Sequence, residues 1–467
     1  MKSLPSAISS LLGLIFLLSP LLLAGWDVWS KTIIHFLAII LAFLALSYLN
    51  PVKLFSKIPP IFPLFFAVIF TTSVFSQIKF NMEFELHNWL NYFIIFVLVF
   101  QFPDELLEKS KYFFQAAVCV IGIISFYQVF VQKMDMPDAT LVNPNILAGY
   151  LLMAIPLISS KIRISLSTQN IILSLLLILS LFTLFFTKSS SAFVSILSAA
   201  LIVKYGWKGA IAALVIFIFL LSSKLNQPDV VNRFLWWQSC IQIIHDNPLF
   251  GTGLGTFQYV YPQYKTAALS SMFAHNFYLQ LASETGVPCL LVFIYLIVFI
   301  YKKMTNPFLK TGFLAILIQN IFEYNLFILA NGILFWSIAA YAIKPTGVSV
   351  HSYLEPETKP ILLRFALILL LIIYSNGVYK VYLSTNYYNQ AEIYFKDKNL
   401  ELAQNYLDKT IKTKPDFWQA YYKLSAVRIE QFKGTRFKSY LYEALTASEK
   451  TKSHNPYFKY YYAKKSH

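Results

Sequence analysis

The residues best suited to chemistry in this sequence are an arginine, a histidine and two glutamates, set in four polar clusters among long apolar runs. The densest cluster spans Asn232 to Phe257 and reads NRFLWWQSCIQIIHDNPLFGTGLGTF. Arg233 offers a fixed fork of donors of the kind that grips a phosphate; the plainer alternative is an interfacial arginine snorkelling to headgroups. Arg233, Trp236, Trp237, Cys240 and Ile244 recur at helical spacing, which predicts an amphipathic helix lying at an interface. Asn247-Pro248 should end it, and Gly251, Gly253 and Gly255 should make a tight turn. No strand precedes these glycines, so they do not read as a dinucleotide fingerprint.

The second cluster is HNFYLQLASETG at 275–286. An imidazole with an ordinary pKa near ~6.5 accepts a proton at neutral pH, so His275 suits a general base for a hydroxyl; a structural histidine at a helix start is the alternative. Asn276, Gln280 and Glu284 are four residues apart and form one stripe on a helix. The third cluster, NPNILAGY at 143–150, predicts a helix start with Asn143 as cap, Pro144 in the first turn and Asn145 beside it. The fourth is QNIFEYNLF at 319–327, continued by Asn331, Phe335 and Trp336. Glu323 near a helix end needs a partner, which His275 or Arg233 could supply.

The elements that must position these groups are membrane helices. The chain has 467 residues, is 57% hydrophobic and 13% charged, and has a mean hydropathy of +0.58. A soluble chain is nearer a quarter charged, so a bilayer is the expected solvent. About thirteen apolar stretches occur, near 8–25, 32–49, 60–76, 88–101, 112–131, 144–160, 170–187, 190–204, 208–223, 275–301, 311–326, 328–343 and 361–379. The fold class expected is all-α: a polytopic transmembrane bundle of about 12–13 spans with a short C-terminal helical-repeat segment. The first stretch follows Lys2 and reads as a retained helix rather than a cleaved signal.

Charge gives the orientation. With the N-terminus inside, the inside loops hold Lys53, Lys57, Lys109, Lys111, Lys161, Arg163, Lys204, Lys208, Lys302, Lys303, Lys310, Lys344 and Lys359. The short outside loops hold only Lys31, Lys79, Lys133 and Lys188, so the positive-inside rule supports this sense. All four polar clusters then face outward. The net charge of +16 is topogenic on this reading, and without a basic reading module no nucleic-acid partner is expected. Cys119, Cys240 and Cys289 are scattered with no CxxC, so neither a metal knuckle nor a disulfide framework is expected.

Two units follow: a transmembrane domain over 1–380 with a large outside loop at 224–274, and an extracytoplasmic helical tail over 381–467. In the tail, Ala391, Tyr394, Ala403, Leu407 and Pro415 fall on the small, aromatic and proline positions of a tetratricopeptide repeat. An amphipathic helical pair without a partner is the alternative.

Together and in this order, NPNILAGYL (143–151), TKSSSAF (187–193), RFLWWQSCIQIIHDNPLFGTGLGTF (233–257), HNFYLQLASETGVPCLLV (275–292) and FEYNLF…NGILFW (322–336) resemble the O-antigen ligase/polymerase family of bacterial membrane glycosyltransferases. The resemblance implies transfer of a glycan from an undecaprenyl-diphosphate carrier to an acceptor at the outer face of the bacterial inner membrane. The acceptor would be lipid A core, a polysaccharide or a protein side chain. It implies no metal and no cofactor. It implies that Arg233 binds the carrier diphosphate and His275 acts near the acceptor, these two being catalytic. Lys188, Asn143, Asn145, Trp236, Asn276, Glu284 and Glu323 are the expected substrate-binding residues. The tail would hold a protein partner. One position departs from the family pattern: Ser190 stands where many members have arginine, with Lys188 two residues away. The competing readings are a transporter or flippase for lipid-linked glycans and a non-catalytic assembly protein. A transporter would favour internal repeats with broken helices at mid-membrane, and no half-to-half similarity is visible.

Overall fold

A computed structural model of the chain describes residues 3–102, 104–163, 165, 167–222, 227–266, 269–345 and 361–459. Lys2, Lys224, Lys359 and the last tail residues, 460–467, lie outside the described residues. Among those described, every regular element is helical.

The helices are α1 (Ser3–Leu21), α2 (Val28–Tyr48), the short α3 (Pro51–Phe55), α4 (Ile61–Val74), α5 (Lys79–Gln101) and the short α6 (Asp104–Leu107). Next come α7 (Ser110–Phe130), α8 (Pro144–Ser159), α9 (Thr168–Phe186), α10 (Ser190–Tyr205) and α11 (Trp207–Ser222). The outside-loop region folds into α12 (Pro228–Asp246) and α13 (Phe257–Tyr264). The bundle closes with α14 (Phe277–Thr285), α15 (Val287–Lys303), α16 (Pro307–Gln319) and α17 (Leu329–Ile343). The last part is α18 (Ile361–Lys396), α19 (Leu400–Thr413), α20 (Trp418–Thr435) and α21 (Ser439–His454).

This is a multi-pass membrane protein. Helices α2, α7, α9 and α18 are long and apolar enough to cross a bilayer by themselves. Others are shorter, such as α16 with 13 residues and α8 with 16, so they rise only about 20–24 Å. These short helices depend on neighbours. α17 is buried without interruption from Leu329 to Ala340 and is the centre of the bundle, as a helix apolar on every side must be. Trp336 meets Phe62, Phe65, Phe66 and Phe96 there in a dry aromatic cluster.

Two apolar stretches do not form single helices. The run at 275–301 divides at Gly286 (φ +85°) into α14 and α15. A break inside a bilayer exposes backbone groups that must find partners. The glycine turn after α12 supplies them. The N–H groups of Thr252 and Gly253 donate to the carbonyls of Ser283 and Glu284 at 3.0 and 2.8 Å, and the Val287 N–H donates to the Pro248 carbonyl at 2.8 Å. The run at 311–326 likewise stops at Gln319, and residues 320–328 are an irregular segment with one 3₁₀ turn at Asn325–Phe327. Here the sequence expectation of continuous helices gives way to two breaks, both beside the polar clusters.

The glycine turn tolerates no side chain. Gly251 has φ +63°, and a Cβ there would overlap the backbone of Glu284 and Thr285. Gly206 has φ +60° but open space around it. Gly251→Ala should therefore lose roughly 1–3 kcal/mol from the dihedral and more from the overlap, whereas Gly206→Ala should lose the dihedral cost alone. Thermal unfolding in detergent reads the difference; equal melting points would refute this role for the turn.

The tail does not begin where hydropathy changes. α18 is one helix of 36 residues, running through position 380 without a break. Arg364 near its start donates to the carbonyls of Ser47 and Leu49 at 3.4 and 3.1 Å. α19 packs back on α18, burying Ala391, Ala403 and Leu407. The tail then docks on the bundle. Phe417 stacks on Phe80 at 3.9 Å, the Trp418 indole N–H donates to Asn81 Oδ1 at 3.1 Å, and Lys414 pairs with Glu83. Trp418 also meets Tyr259 of α13 edge-on at 5.3 Å.

Candidate functional site

The site is assembled by the two helix breaks. The Phe277 N–H donates to the carbonyls of both Asn320 and Glu323, at 2.9 and 3.1 Å. That tie sets the start of α14 against the irregular segment after α16, and it places His275 beside Glu323. α12 lies across both. Its buried face, with Trp236, Cys240 and Ile243, packs on Phe257, Val260 and Tyr261 of α13 and on Ala274. Burial pushes the Cys240 thiol well above its ordinary pKa, so it is a packing group rather than a nucleophile. At the loop surface the Tyr264 hydroxyl, and then His245, hold the Asp246 carboxyl below its ordinary range and tie the end of α12 to α13.

One carboxylate serves two partners. Arg233 Nη2 donates to Glu323 Oε1 at 3.0 Å. His275 Nδ1 faces Glu323 Oε2 at 3.5 Å, a contact longer than a hydrogen bond. The Glu323 side chain is 2% exposed, while those of Arg233 and His275 are each 23% exposed. The carboxyl is therefore inside, and the two side chains that reach it are partly exposed. Contacts of this kind commonly tighten only when substrate is bound.

His275 is held in an uncommon backbone conformation, φ +50°. Such strain persists only where the surroundings impose it. The Trp237 indole N–H supplies part of that constraint, donating to the carbonyls of Ala274 and His275 at 3.1 and 3.4 Å. The imidazole itself lies between two rings. Trp236 stacks on it at 5.1 Å, and Tyr324 meets it edge-on at 5.0 Å. Phe273 in turn stacks on Tyr324 at 4.0 Å. Nδ1 is the ring nitrogen turned to Glu323.

The remaining sequence-derived candidates divide. Asn143 and Asn276 are helix caps, accepting from the N–H groups of Asn145 and Leu279 at 2.8 and 3.0 Å. Asn145 offers its carbonyl to Gln319 and Asn325, both at 3.4 Å, which anchors α8 beside the site. Glu284 was expected at the substrate, but it is buried and accepts from the N–H groups of Gly255 and Phe257 at 2.9 and 3.2 Å and from Gln280 at 3.1 Å. Its place is structural: it fastens the glycine turn. It does not orient His275; Glu323 is the carboxylate placed to do so. Lys188 pairs with exposed Asp135, and no contact joins it to Glu323. Tyr324 was missed, although it adjoins Glu323 in the fourth cluster; nothing in sequence alone marks its ring as a neighbour of His275.

Residues 175–294 match the model of a family described as O-antigen ligase. The matched stretch contains Lys188, Arg233, Trp236, the glycine turn, His275 and Glu284, and it ends before Glu323. No curated protein matches the chain.

Proposed function

We propose that this chain, which belongs to the O-antigen ligase family, transfers a glycan from an undecaprenyl-diphosphate carrier to an acceptor at the outer face of the bacterial inner membrane. The observation that carries this reading is the buried Glu323 carboxylate shared by Arg233 and His275. In the reaction the acceptor oxygen forms a bond to the anomeric carbon, and the bond from that carbon to the phosphate oxygen breaks. The electron pair leaves with the carrier diphosphate. The acceptor proton passes to His275 Nε2, while Glu323 holds the ring and stabilises the imidazolium. Arg233 meets the charge developing on the diphosphate with the donors that Glu323 does not use. No metal or nucleotide is assigned a step.

The acceptor is lipid A core, a growing polysaccharide or a protein side chain, and a protein partner or acceptor would be held by the tail. A flippase is the less favoured reading, because the shared carboxylate lies where α14 begins and α16 ends rather than midway along crossing helices. The Ser190 departure leaves Lys188 as the nearest replacement charge, and its ion pair with Asp135 would have to open for it to serve.

The test is transfer by the purified full chain in nanodiscs, supplied with lipid-diphosphate glycans and candidate acceptors, with and without a chelator. Product should form equally in both conditions and vanish in folded His275→Ala. Loss of product on chelation would overturn the metal-free route. Transport of the glycan lipid without transfer would overturn the enzyme.

A further inference from the structure

A cavity of about 690 Å³ opens at the end of the bundle away from the candidate site. α8 fixes the separation: its first turn is anchored beside the site through Asn145, and its last turn lines this cavity with Leu157 and Ile158. Sixteen residues of helix put about 24 Å between them. Deep inside, the walls are apolar and include Phe16, Phe114, Leu173 and Leu334. At the mouth they are charged, with Lys111, Lys161, Arg163, Asp104 and Glu108.

The mouth charges are unevenly matched. Glu108 is taken by Lys111, and Asp104 by Lys344. Lys161 donates to the Tyr341 hydroxyl at 2.8 Å, and neither it nor Arg163 has a carboxylate partner among the described residues. The first turn of α9, capped by Ser167, lines the same opening and adds the positive end of a helix.

We infer that this cavity binds one anionic phospholipid, with its phosphate at Lys161 and Arg163 and its acyl chain against the walls of α7, α8, α9 and α17. A free anion would satisfy the mouth and leave the apolar walls facing water. A neutral apolar molecule would fill the walls and leave two cations unmatched. An amphiphile with an anionic head meets both conditions, and a cavity of this volume takes a headgroup with the upper part of its chains. The leaflet is the one at the lysine-rich end of the bundle, which positive-inside charge makes the cytoplasmic one.

The experiment is native mass spectrometry and thermal unfolding of the delipidated full chain, titrated with phosphatidylglycerol, phosphatidylethanolamine or inorganic phosphate. The wild type should retain one phosphatidylglycerol in preference to phosphatidylethanolamine and be stabilised by it. Lys161→Gln/Arg163→Gln should weaken that binding roughly 30-fold. Ser337→Trp, which fills the cavity from α17 without changing charge, should weaken it as well. Lys204→Gln/Lys208→Gln removes the same charge at the turn between α10 and α11 and should leave it unchanged. Unaltered binding in Lys161→Gln/Arg163→Gln would overturn the site. An equal loss in Lys204→Gln/Lys208→Gln would reduce it to general surface charge. Inorganic phosphate stabilising as well as phosphatidylglycerol would overturn the lipid.

Discussion

Replacing Glu323 with glutamine is expected to slow glycan transfer by two to three orders of magnitude and to lower the melting temperature together with it. The amide keeps the shape of the side chain and removes its charge. Arg233 then loses the partner it holds at 3.0 Å, and His275 loses the carboxylate at 3.5 Å that selects its orientation. Removing one member of a fully buried pair costs roughly 3–5 kcal/mol. The cost here should be smaller, because the Arg233 side chain is 23% exposed and water can reach it. The rate effect has a separate origin. A carboxylate behind a catalytic imidazole fixes which nitrogen carries the proton, and disturbing that choice in comparable triads costs up to about 10⁴ in rate. Transfer assays and unfolding curves on the same preparation separate the two. A variant that melts early yet transfers at the wild-type rate would make Glu323 a structural counter-ion only.

The second large effect concerns the two residues that Glu323 joins. Arg233→Lys keeps the charge, but a lysine cannot hold Glu323 and a diphosphate through one planar fork. A loss of roughly 10²–10³ is expected, the range for removing one donor to developing charge. His275→Ala should cost about 10²–10⁴ by removing the base. Both act on the same step, so Arg233→Lys/His275→Ala should be little worse than its worse parent. Strictly multiplicative losses would mean that the two residues serve different steps. Activity preserved in Arg233→Lys would mean that a point charge suffices and that the fork is irrelevant.

How far these residues were legible in sequence depends on what joins them. Arg233 and Trp236 were singled out because helical spacing sets them in one amphipathic segment. His275 and Glu323 were singled out as costly polar groups beside apolar runs. That Glu323 holds both partners was not legible, because it rests on the Phe277 N–H bridging to Asn320 and Glu323, a backbone contact that no side-chain type announces. The surroundings of Glu284 were hidden for a related reason. Spacing puts it on a stripe with Asn276 and Gln280, but spacing does not show that the glycine turn folds back to present two N–H groups to it. The break at Gly286 was overlooked because the run at 275–301 was read as one span, although Ser283, Glu284, Thr285 and Pro288 flank the glycine. The continuity of α18 was hidden in the opposite way: hydropathy falls near residue 380 while the residues on both sides remain compatible with helix.

That continuity sets a length scale. A flexible tether would let anything bound to the tail search a volume above the membrane, at a local concentration governed by tether length. α18 is instead a rod of about 54 Å, pinned by Arg364 near one end and by the Trp418 and Lys414 contacts beyond the other. The place of the tail on the bundle is thus held at both ends of the rod. A cargo carried by the tail would be offered from a fixed platform, so its own length and shape, rather than the slack of a tether, would decide whether it reaches Arg233.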